Sequence, residues 1–136
     1  MRFMFIVKGS ADSEAGVMPD ESLFAEMADY HEDLAKAGAL VDASGLHPTS
    51  KGARIQYTGG KRTIIDGPFT ESKEIVAGYT IIQVKSREEA MDWARRFPAP
   101  QGGGEGEIEI RQLYELDDFE PNPAIERFRK LEEARR

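Results

Sequence analysis

The first residues of the chain alternate in a way that predicts a β-strand with two apolar faces. Phe3, Phe5 and Val7 point to one side of an extended backbone, and Met4 and Ile6 point to the other. Since neither side is polar, we expect both faces of this strand to be covered.

The segment Ile75–Val84, with the sequence "IVAGYTIIQV", is also apolar on both sides and predicts a long strand of the same sheet. Helices packed on one side of that sheet would leave its other side in water. Exposed apolar surface costs about 25 cal/mol per Å². We therefore expect a second copy of the chain to cover that side, in a homodimer with the two sheets face to face.

Three segments have the period of an amphipathic helix. The first begins near Asp20 and ends before Gly38. The second begins at Ser86, which is expected to form a capping box with Glu89. The third is short and charged and covers residues 124–136. The apolar stripe of the first helix consists of Leu23, Met27, Tyr30 and Leu34.

The remaining segments predict strands. Residues 39–48 hold a second strand, and residues 53–66 form a hairpin that turns at Gly59 and Gly60, because glycine accepts the positive φ angles of such a turn. Residues 107–116 form the last strand, "EIEIRQLYEL".

The predicted order of elements is therefore β-α-β-(hairpin)-β-α-β-α. This order is typical of an α+β fold, a ferredoxin-like βαβ(hairpin)βαβ sandwich with an additional C-terminal helix. We expect one domain over residues 1–119 and a charged helical extension over residues 120–136.

The composition excludes several kinds of site. The 136 residues include no cysteine and two histidines, so disulfides, thiolate metal sites and cysteine nucleophiles are excluded. No metal-ligand spacing and no phosphate or dinucleotide motif occurs, so neither a metal nor a cofactor is expected. The net charge of −7 argues against binding to nucleic acid. No apolar run approaches the roughly 20 residues that span a bilayer, so we expect a cytoplasmic protein without a membrane partner.

The motif "DGPFTESKE" is followed by "GYTIIQVKSREEAMDWARRFP" and then by "GEIEIRQL". Through these segments the chain resembles the YCII-related family, in its DGPF-domain branch, over residues 1–119. The resemblance implies a ferredoxin-like fold assembled as a dimeric α/β barrel. It also implies a regulatory setting, because genes of the DGPF type often lie beside genes for extracytoplasmic-function sigma factors. The wider superfamily includes isomerases, monooxygenases and dehalogenating lyases.

In YCII proteins proper, a histidine on the first helix and an aspartate after the second strand are the proposed active pair. The position of that histidine falls near Met27 in this sequence and not at His31. The resemblance therefore does not carry the His-Asp pair over to this chain, and we interpret His31 as a histidine at the boundary of the core.

Asp66 is the first candidate for chemistry. Strand parity places it at the base of the hairpin, on the face that holds Ile55 and Ile64. A carboxylate beside apolar side chains can act as a general base. Alternatively, its oxygens accept backbone hydrogen bonds in the turn that follows. In that turn we expect Gly67 to adopt a positive φ angle.

His47 is the second candidate. It follows the second strand, where a histidine could serve as an acid or a base near neutral pH. It could equally be a surface histidine fixed by the following Pro48. Because Asp66 and His47 both lie where strands end on connecting turns, we expect them to lie close to one cavity.

A third group of residues is a candidate for ligand binding. Lys51, Thr70 and Lys73 could hold an anionic group, and Tyr57 and Arg62 share a face with Asp66. The alternative is that these side chains belong to a solvated loop.

Three functions remain open on this reading. The first is a dimeric small-molecule-binding or regulatory module, which needs no nucleophile or cofactor. The second is a cofactor-free isomerase or lyase that uses Asp66 or His47 as a general base. The third is an accessory factor linked to an extracytoplasmic-function sigma factor.

Overall fold

The computed structural model describes residues 1–70 and 74–135. Short 3-10 turns lie at Thr49–Lys51 and Leu116–Asp118. The strands and helices of the described residues, in chain order, are β1 (Arg2–Lys8), α1 (Ala11–Glu14), α2 (Glu21–Lys36), β2 (Leu40–Gly45), β3 (Ala53–Thr58), β4 (Lys61–Asp66), β5 (Val76–Gln83), α3 (Arg87–Arg95), β6 (Ile108–Gln112) and α4 (Pro123–Ala134).

Four strands form one antiparallel sheet in the order β2-β5-β1-β6. The connection from β1 to β2 contains α2 and passes over β5, and the connection from β5 to β6 contains α3 and passes over β1. This is the arrangement of a ferredoxin-like split βαβ fold. The predicted fold class is confirmed.

The core lies between the sheet and the helices α2 and α3. Phe5, Leu34 and Ile82 are its largest fully buried side chains. Tyr30 of α2 and Trp93 of α3 meet edge to face, with ring centroids 6.0 Å apart. The side of β1 that carries Phe5 therefore faces the helices, as the alternation of the first residues predicts.

The opposite side of the sheet also carries apolar side chains, next to the charged residues Glu109 and Arg111 of β6. In the sheet register Met4 lies beside Ile81, and Ile6 lies beside Tyr79. All four side chains are half-buried in the single chain, and they point away from the face that the helices cover. The expectation that a second copy covers this face stays a prediction.

The hairpin has the predicted register. Ile55 lies opposite Ile64 and Tyr57 lies opposite Arg62, and the turn glycines Gly59 and Gly60 have φ angles of 58° and 78°. β3 and β4 form a sheet of their own, and every residue in both strands is exposed.

The structure adds one short helix to the prediction and changes one helix cap. The loop after β1 contains α1, whose first turn is capped by the hydroxyl of Ser10. Ser86 caps α3 as predicted, since its hydroxyl accepts the N–H of Glu89 at 3.1 Å. The carboxylate of Glu89, however, accepts the N–H of Lys85 and does not reach back to Ser86.

The C-terminal part of the chain is more exposed than the pattern suggests. β6 ends before Tyr114, which is 73% exposed. α4 is capped by Asn122 and contains no buried residue, and Phe128 and Leu131 of its apolar stripe are 56% and 60% exposed. Within residues 1–70 and 74–135, no helix is long and apolar enough to cross a membrane.

Candidate functional site

A cavity of about 700 Å³ opens between α2 and the sheet. Its walls come from the segment around α1, from α2, from the end of β2, from β5 and from the loop after α3. Most of the lining is apolar because α2 turns part of its hydrophobic face toward this space. The main apolar residues are Leu23, Phe24, Met27, Leu46, Phe97 and Pro100.

His31 is the polar residue that the structure fixes most firmly in this cavity. Its Nδ1 lies 2.7 Å from the carbonyl oxygen of Met27, and its Nε2 lies 2.8 Å from Oγ1 of Thr80. A carbonyl oxygen can only accept, so Nδ1 carries the proton that it donates. In the neutral ring, Nε2 then accepts the hydroxyl proton of Thr80.

The partner of His31 is itself buried. Thr80 lies on β5 and is 2% exposed, while His31 is half-buried and lines the cavity. The interpretation of His31 as a boundary histidine is therefore incomplete, because the ring lines the cavity and is oriented at both nitrogens. The usable signal in the sequence was its spacing from Phe24 and Met27, which puts all three on one helix face.

Asp20 and His47 are polar residues of the cavity lining that are exposed to solvent. Asp20 caps α2, and the pKa of its carboxyl is below its ordinary value, chiefly because it accepts the backbone N–H of Leu23. His47 lines the cavity and is exposed. Within residues 1–70 and 74–135, no group of three histidine, aspartate or glutamate side chains could hold a metal ion.

Tyr30 lies behind the cavity rather than in it. Its hydroxyl donates to the carbonyl oxygen of Trp93 at 2.7 Å, and burial raises the pKa of this hydroxyl. A tyrosine in this state keeps its proton and orders the two helices with respect to each other.

Asp66 is placed away from the cavity walls. It lies opposite Ala53 at the base of the hairpin and is exposed, and the cavity lining includes His47 but not Asp66. The structure thus does not bring Asp66 and His47 onto the walls of one cavity. Their catalytic roles stay predictions.

The residues predicted to bind a ligand are also outside the cavity lining. Tyr57 and Arg62 lie on the hairpin, with the guanidinium carbon of Arg62 5.3 Å from the ring centroid of Tyr57. Lys51 and Thr70 are exposed on either side of the hairpin. Lys73 lies outside the described residues.

The Asp-Gly-Pro-Phe turn is joined to α1 through the side chain of Thr49. The backbone N–H of Thr49 donates to Oε1 of Glu14 at 3.0 Å, and its hydroxyl donates to the other oxygen of Glu14. The N–H of Phe69 donates to the Thr49 hydroxyl oxygen at 3.0 Å. One side chain therefore joins α1, the loop after His47 and the turn.

Gly67 is required in this turn for a different reason from the one expected. Its φ angle is not positive, so that expectation is wrong. A Cβ atom at this position would lie 1.7 Å from the carbonyl oxygen of Thr49. The glycine allows two backbone segments to touch.

Comparison with known proteins now identifies the family. The family model of the YCII-related domain matches residues 1–117. An uncharacterised protein of Rhizobium meliloti (strain 1021) is 31% identical over 94 residues, which cover 69% of this chain and 75% of that protein.

A solved structure is similar at a greater distance. It is 5-chloro-2-hydroxyhydroquinone dehydrochlorinase from Burkholderia phenoliruptrix AC1100, in complex with 2,5-dihydroxybenzoquinone. The similarity covers 84% of this chain and 94% of that chain, with 14% identity and a TM-score of 0.47. Similarity of this extent carries neither a substrate nor a reaction over to this chain. The match over residues 1–117 and the bacterial relative confirm the resemblance seen in the residues, and the chain belongs to the YCII-related family.

Proposed function

We propose that this protein binds a small, largely apolar organic molecule in the cavity between α2 and the sheet, and that it does so as a homodimer. The observation that carries the proposal is a mostly apolar cavity of about 700 Å³ with a fixed polar pair, His31 and Thr80, in its wall. Ligand sites are typically concave, apolar and furnished with few oriented polar groups.

The lining indicates how such a molecule would be held. Its apolar body would contact the side chains of Phe24 and Met27, which face the cavity from α2. Thr80 Oγ1 donates its proton toward His31 and keeps acceptor capacity for a hydroxyl or amide donor of the ligand. The two carboxylates at the cavity, Asp12 and Asp20, disfavour an anionic ligand.

A neutral fluorescent probe tests this proposal. N-phenyl-1-naphthylamine fluoresces weakly in water and brightly in an apolar site, so a saturable rise in emission reports occupation of the cavity. Ala43 lines the cavity from β2. We expect Ala43→Phe to fill the space and to weaken probe binding by about tenfold or more, which corresponds to about 1.4 kcal/mol.

The matched control lies two residues away. Val41 is on the same strand, is 47% exposed and does not line the cavity. Val41→Phe should bind the probe like the unaltered protein. Equal binding by the two phenylalanine variants would refute occupation of this cavity.

Proton transfer in the same cavity is the second candidate function. It is favoured by one observation, namely that His47 lines the cavity and is open to solvent. An isomerase or lyase of this kind would use His47 as its acid or base. His47→Gln should then abolish turnover of any substrate found while leaving probe binding intact, whereas retained turnover would exclude this role.

A further inference from the structure

The hairpin is a projecting arm with one apolar face. We use the term arm for residues 53–66, that is, β3, its turn and β4. The register puts Ile55, Tyr57 and Ile64 on one face, and these side chains are 50%, 66% and 69% exposed. An exposed apolar face of this kind marks an interaction surface.

The arm is not supported by the sheet of its own chain. Among the residues that the structure describes, β3 and β4 pair only with each other, as a two-stranded sheet. At the root of the arm, the N–H of Gly67 donates to the carbonyl oxygen of Gly52 at 3.0 Å. An isolated two-stranded hairpin is marginally stable in water. Within the part of the chain that the structure describes, no residue of the arm lines the cavity.

The charge of the arm is opposite to that of the rest of the chain. Residues 53–66 contain three basic residues and one acidic residue, a net charge of +2. The whole chain carries −7, so the remainder carries −9. A basic arm on a strongly acidic body is electrostatically complementary to a second copy of the same body.

Outside the arm, one surface of the chain has both exposed apolar side chains and acidic residues, which are the two properties that would complement the arm. The opening of the cavity is bordered by the exposed apolar side chains of Met18 and Phe24, which are 71% and 52% exposed. The acidic residues Asp12, Asp20 and Glu21 lie in the same segments of the chain. This opening, defined by Met18 and Phe24, is the surface that we call the cavity mouth.

We propose that the arm of one copy docks on the cavity mouth of a second copy. The apolar face of the arm covers Met18 and Phe24, and Arg62, which shares that face with Tyr57, approaches the acidic residues beside them. The arm of the same chain is held at its root by the contact of Gly67 with Thr49 and by the bonds of Thr49 to Glu14. Held in this position, the arm does not cover the cavity of its own chain. In the proposed dimer, the arm of the partner therefore closes that cavity.

The docked arm would complete the binding site. Tyr57 would stand over the opening and would contact a ligand inside, so each cavity would be built from two chains. The inference rests on the proposed function for the role of the cavity, but docking of the arm can be measured without any ligand.

The absence of cysteine allows a direct test by disulfide trapping. Tyr57→Cys protein is mixed with Met18→Cys protein, and in a second mixture with Phe24→Cys protein. Each chain then has one thiol, so a mixed disulfide can form only between two chains. We expect at least one mixture to give a cross-linked dimer of the two variants under mild oxidation.

The control uses the neighbouring residue of the arm. Gln56 lies on the opposite face of β3 because successive side chains alternate. Gln56→Cys should give at least about fivefold less cross-linked product with the same partners. Equal trapping by the two arm positions, or none, would overturn the proposal.

A second pair of variants tests the apolar contact in solution. Ile64 and Ile65 are adjacent but point to opposite faces of the arm. Ile64→Thr should weaken self-association by about tenfold or more in sedimentation equilibrium, and Ile65→Thr should leave it nearly unchanged. Thermal melts of both variants establish that each is folded. Equal association constants for these two variants would also overturn the proposal.

The outcomes separate this inference from the proposed function. Trapping of the mixed dimer together with failure of Ala43→Phe to affect the probe would refute the cavity as a site and leave the docked arm standing. A monomeric chain that binds the probe would refute the docked arm and the homodimer, and would leave the cavity standing as a binding site. A monomeric chain that binds a short DNA duplex through Arg62 would assign the basic arm to nucleic acid instead.

Discussion

At the scale of single residues, Gly67 shows why the Asp-Gly-Pro-Phe turn needs a glycine. A Cβ atom there would lie 1.7 Å from the carbonyl oxygen of Thr49, and a backbone atom cannot move aside as a flexible side chain can. We predict that Gly67→Ala lowers the free energy of unfolding by about 2 kcal/mol or more. Equilibrium denaturation in urea measures this loss.

Gly45 supplies the control for this change. No atom lies within 4 Å of a Cβ built at Gly45, and its φ angle is not positive. Gly45→Ala should therefore alter the free energy of unfolding by less than about 0.5 kcal/mol. If the two alanine variants lost the same stability, the contact with Thr49 would not be the reason for the glycine.

Tyr30 gives a prediction about pH. Burial raises the pKa of its hydroxyl, so the folded state favours the protonated form. The stability that this group contributes is complete below the unfolded pKa of about 10 and is lost as the pH rises above it. We predict that the melting temperature falls above about pH 10 and falls less in Tyr30→Phe.

Thermal melts at intervals of pH measure this slope. Tyr114→Phe is the control. Because Tyr114 is 73% exposed, its replacement should leave the dependence of melting temperature on pH unchanged. If the melting temperature of Tyr30→Phe fell with pH as steeply as that of the unaltered protein, the loss of stability at alkaline pH would come from other groups.

The residues that sequence reasoning missed share one physical feature. His31 and Thr49 act through partners that are distant along the chain, 49 residues away at Thr80 and 35 residues away at Glu14. No local pattern encodes such a pairing. Asp66, in contrast, stood out because of a local turn motif, and a local motif does not determine which cavity a side chain reaches.

At the scale of elements, the sequence correctly predicted the features that depend on residues close together in the chain, namely helix caps and the hairpin turn. Asp20 and Ser86 cap their helices, and the glycine pair sets the hairpin register. The end of β6 was less predictable, because the alternation continues past Gln112 although the pairing with β1 ends there. The end of a strand depends on where its partner strand stops pairing with it, and the sequence of the strand itself does not contain that information.

The C-terminal helix α4 is predicted to add little to the stability of the domain. It has no buried residue, and its described ion pair to the preceding turn joins Arg129 to Asp117 at 3.2 Å between exposed side chains. Exposed pairs contribute about 0–1 kcal/mol. A chain that ends at Asn122 should therefore unfold within about 1 kcal/mol of the full chain in urea. A larger loss would show that the stripe of α4 is covered in solution, by a second copy or by the sheet.

At the scale of the whole molecule, two of the apolar surfaces that the described part of the chain leaves open bear on the homodimer. One is the sheet face with Met4 and Ile81, and the other is the arm with Tyr57 and Ile64. A second copy would cover both, and the acidic body favours a partner that brings basic side chains. In the proposed homodimer, the sheet faces would pack together and the arms would reach across to the partner.

Met4 provides the test of the sheet face. We predict that the unaltered protein sediments at twice its chain mass of 15.2 kDa and that Met4→Glu sediments at or near the mass of one chain. The reason is that a glutamate at the centre of the packed faces would lose its water, at a cost of several kcal/mol. Arg111 lies opposite on β6 but is already paired with Glu109, so it would offset only part of this cost. Sedimentation equilibrium at micromolar concentration gives both masses.

Phe128→Glu is the matched control for this charge insertion. Phe128 is 56% exposed on α4, outside the sheet, so a glutamate there should leave the dimer intact. We expect circular dichroism to show that both variants keep their secondary structure, because Met4 is half-buried and lies on the opposite side of β1 from the core residue Phe5. A dimer of unchanged strength in Met4→Glu would mean that the sheet face is not the interface. In that case the arm, tested by Ile64→Thr, would have to hold the two copies together by itself.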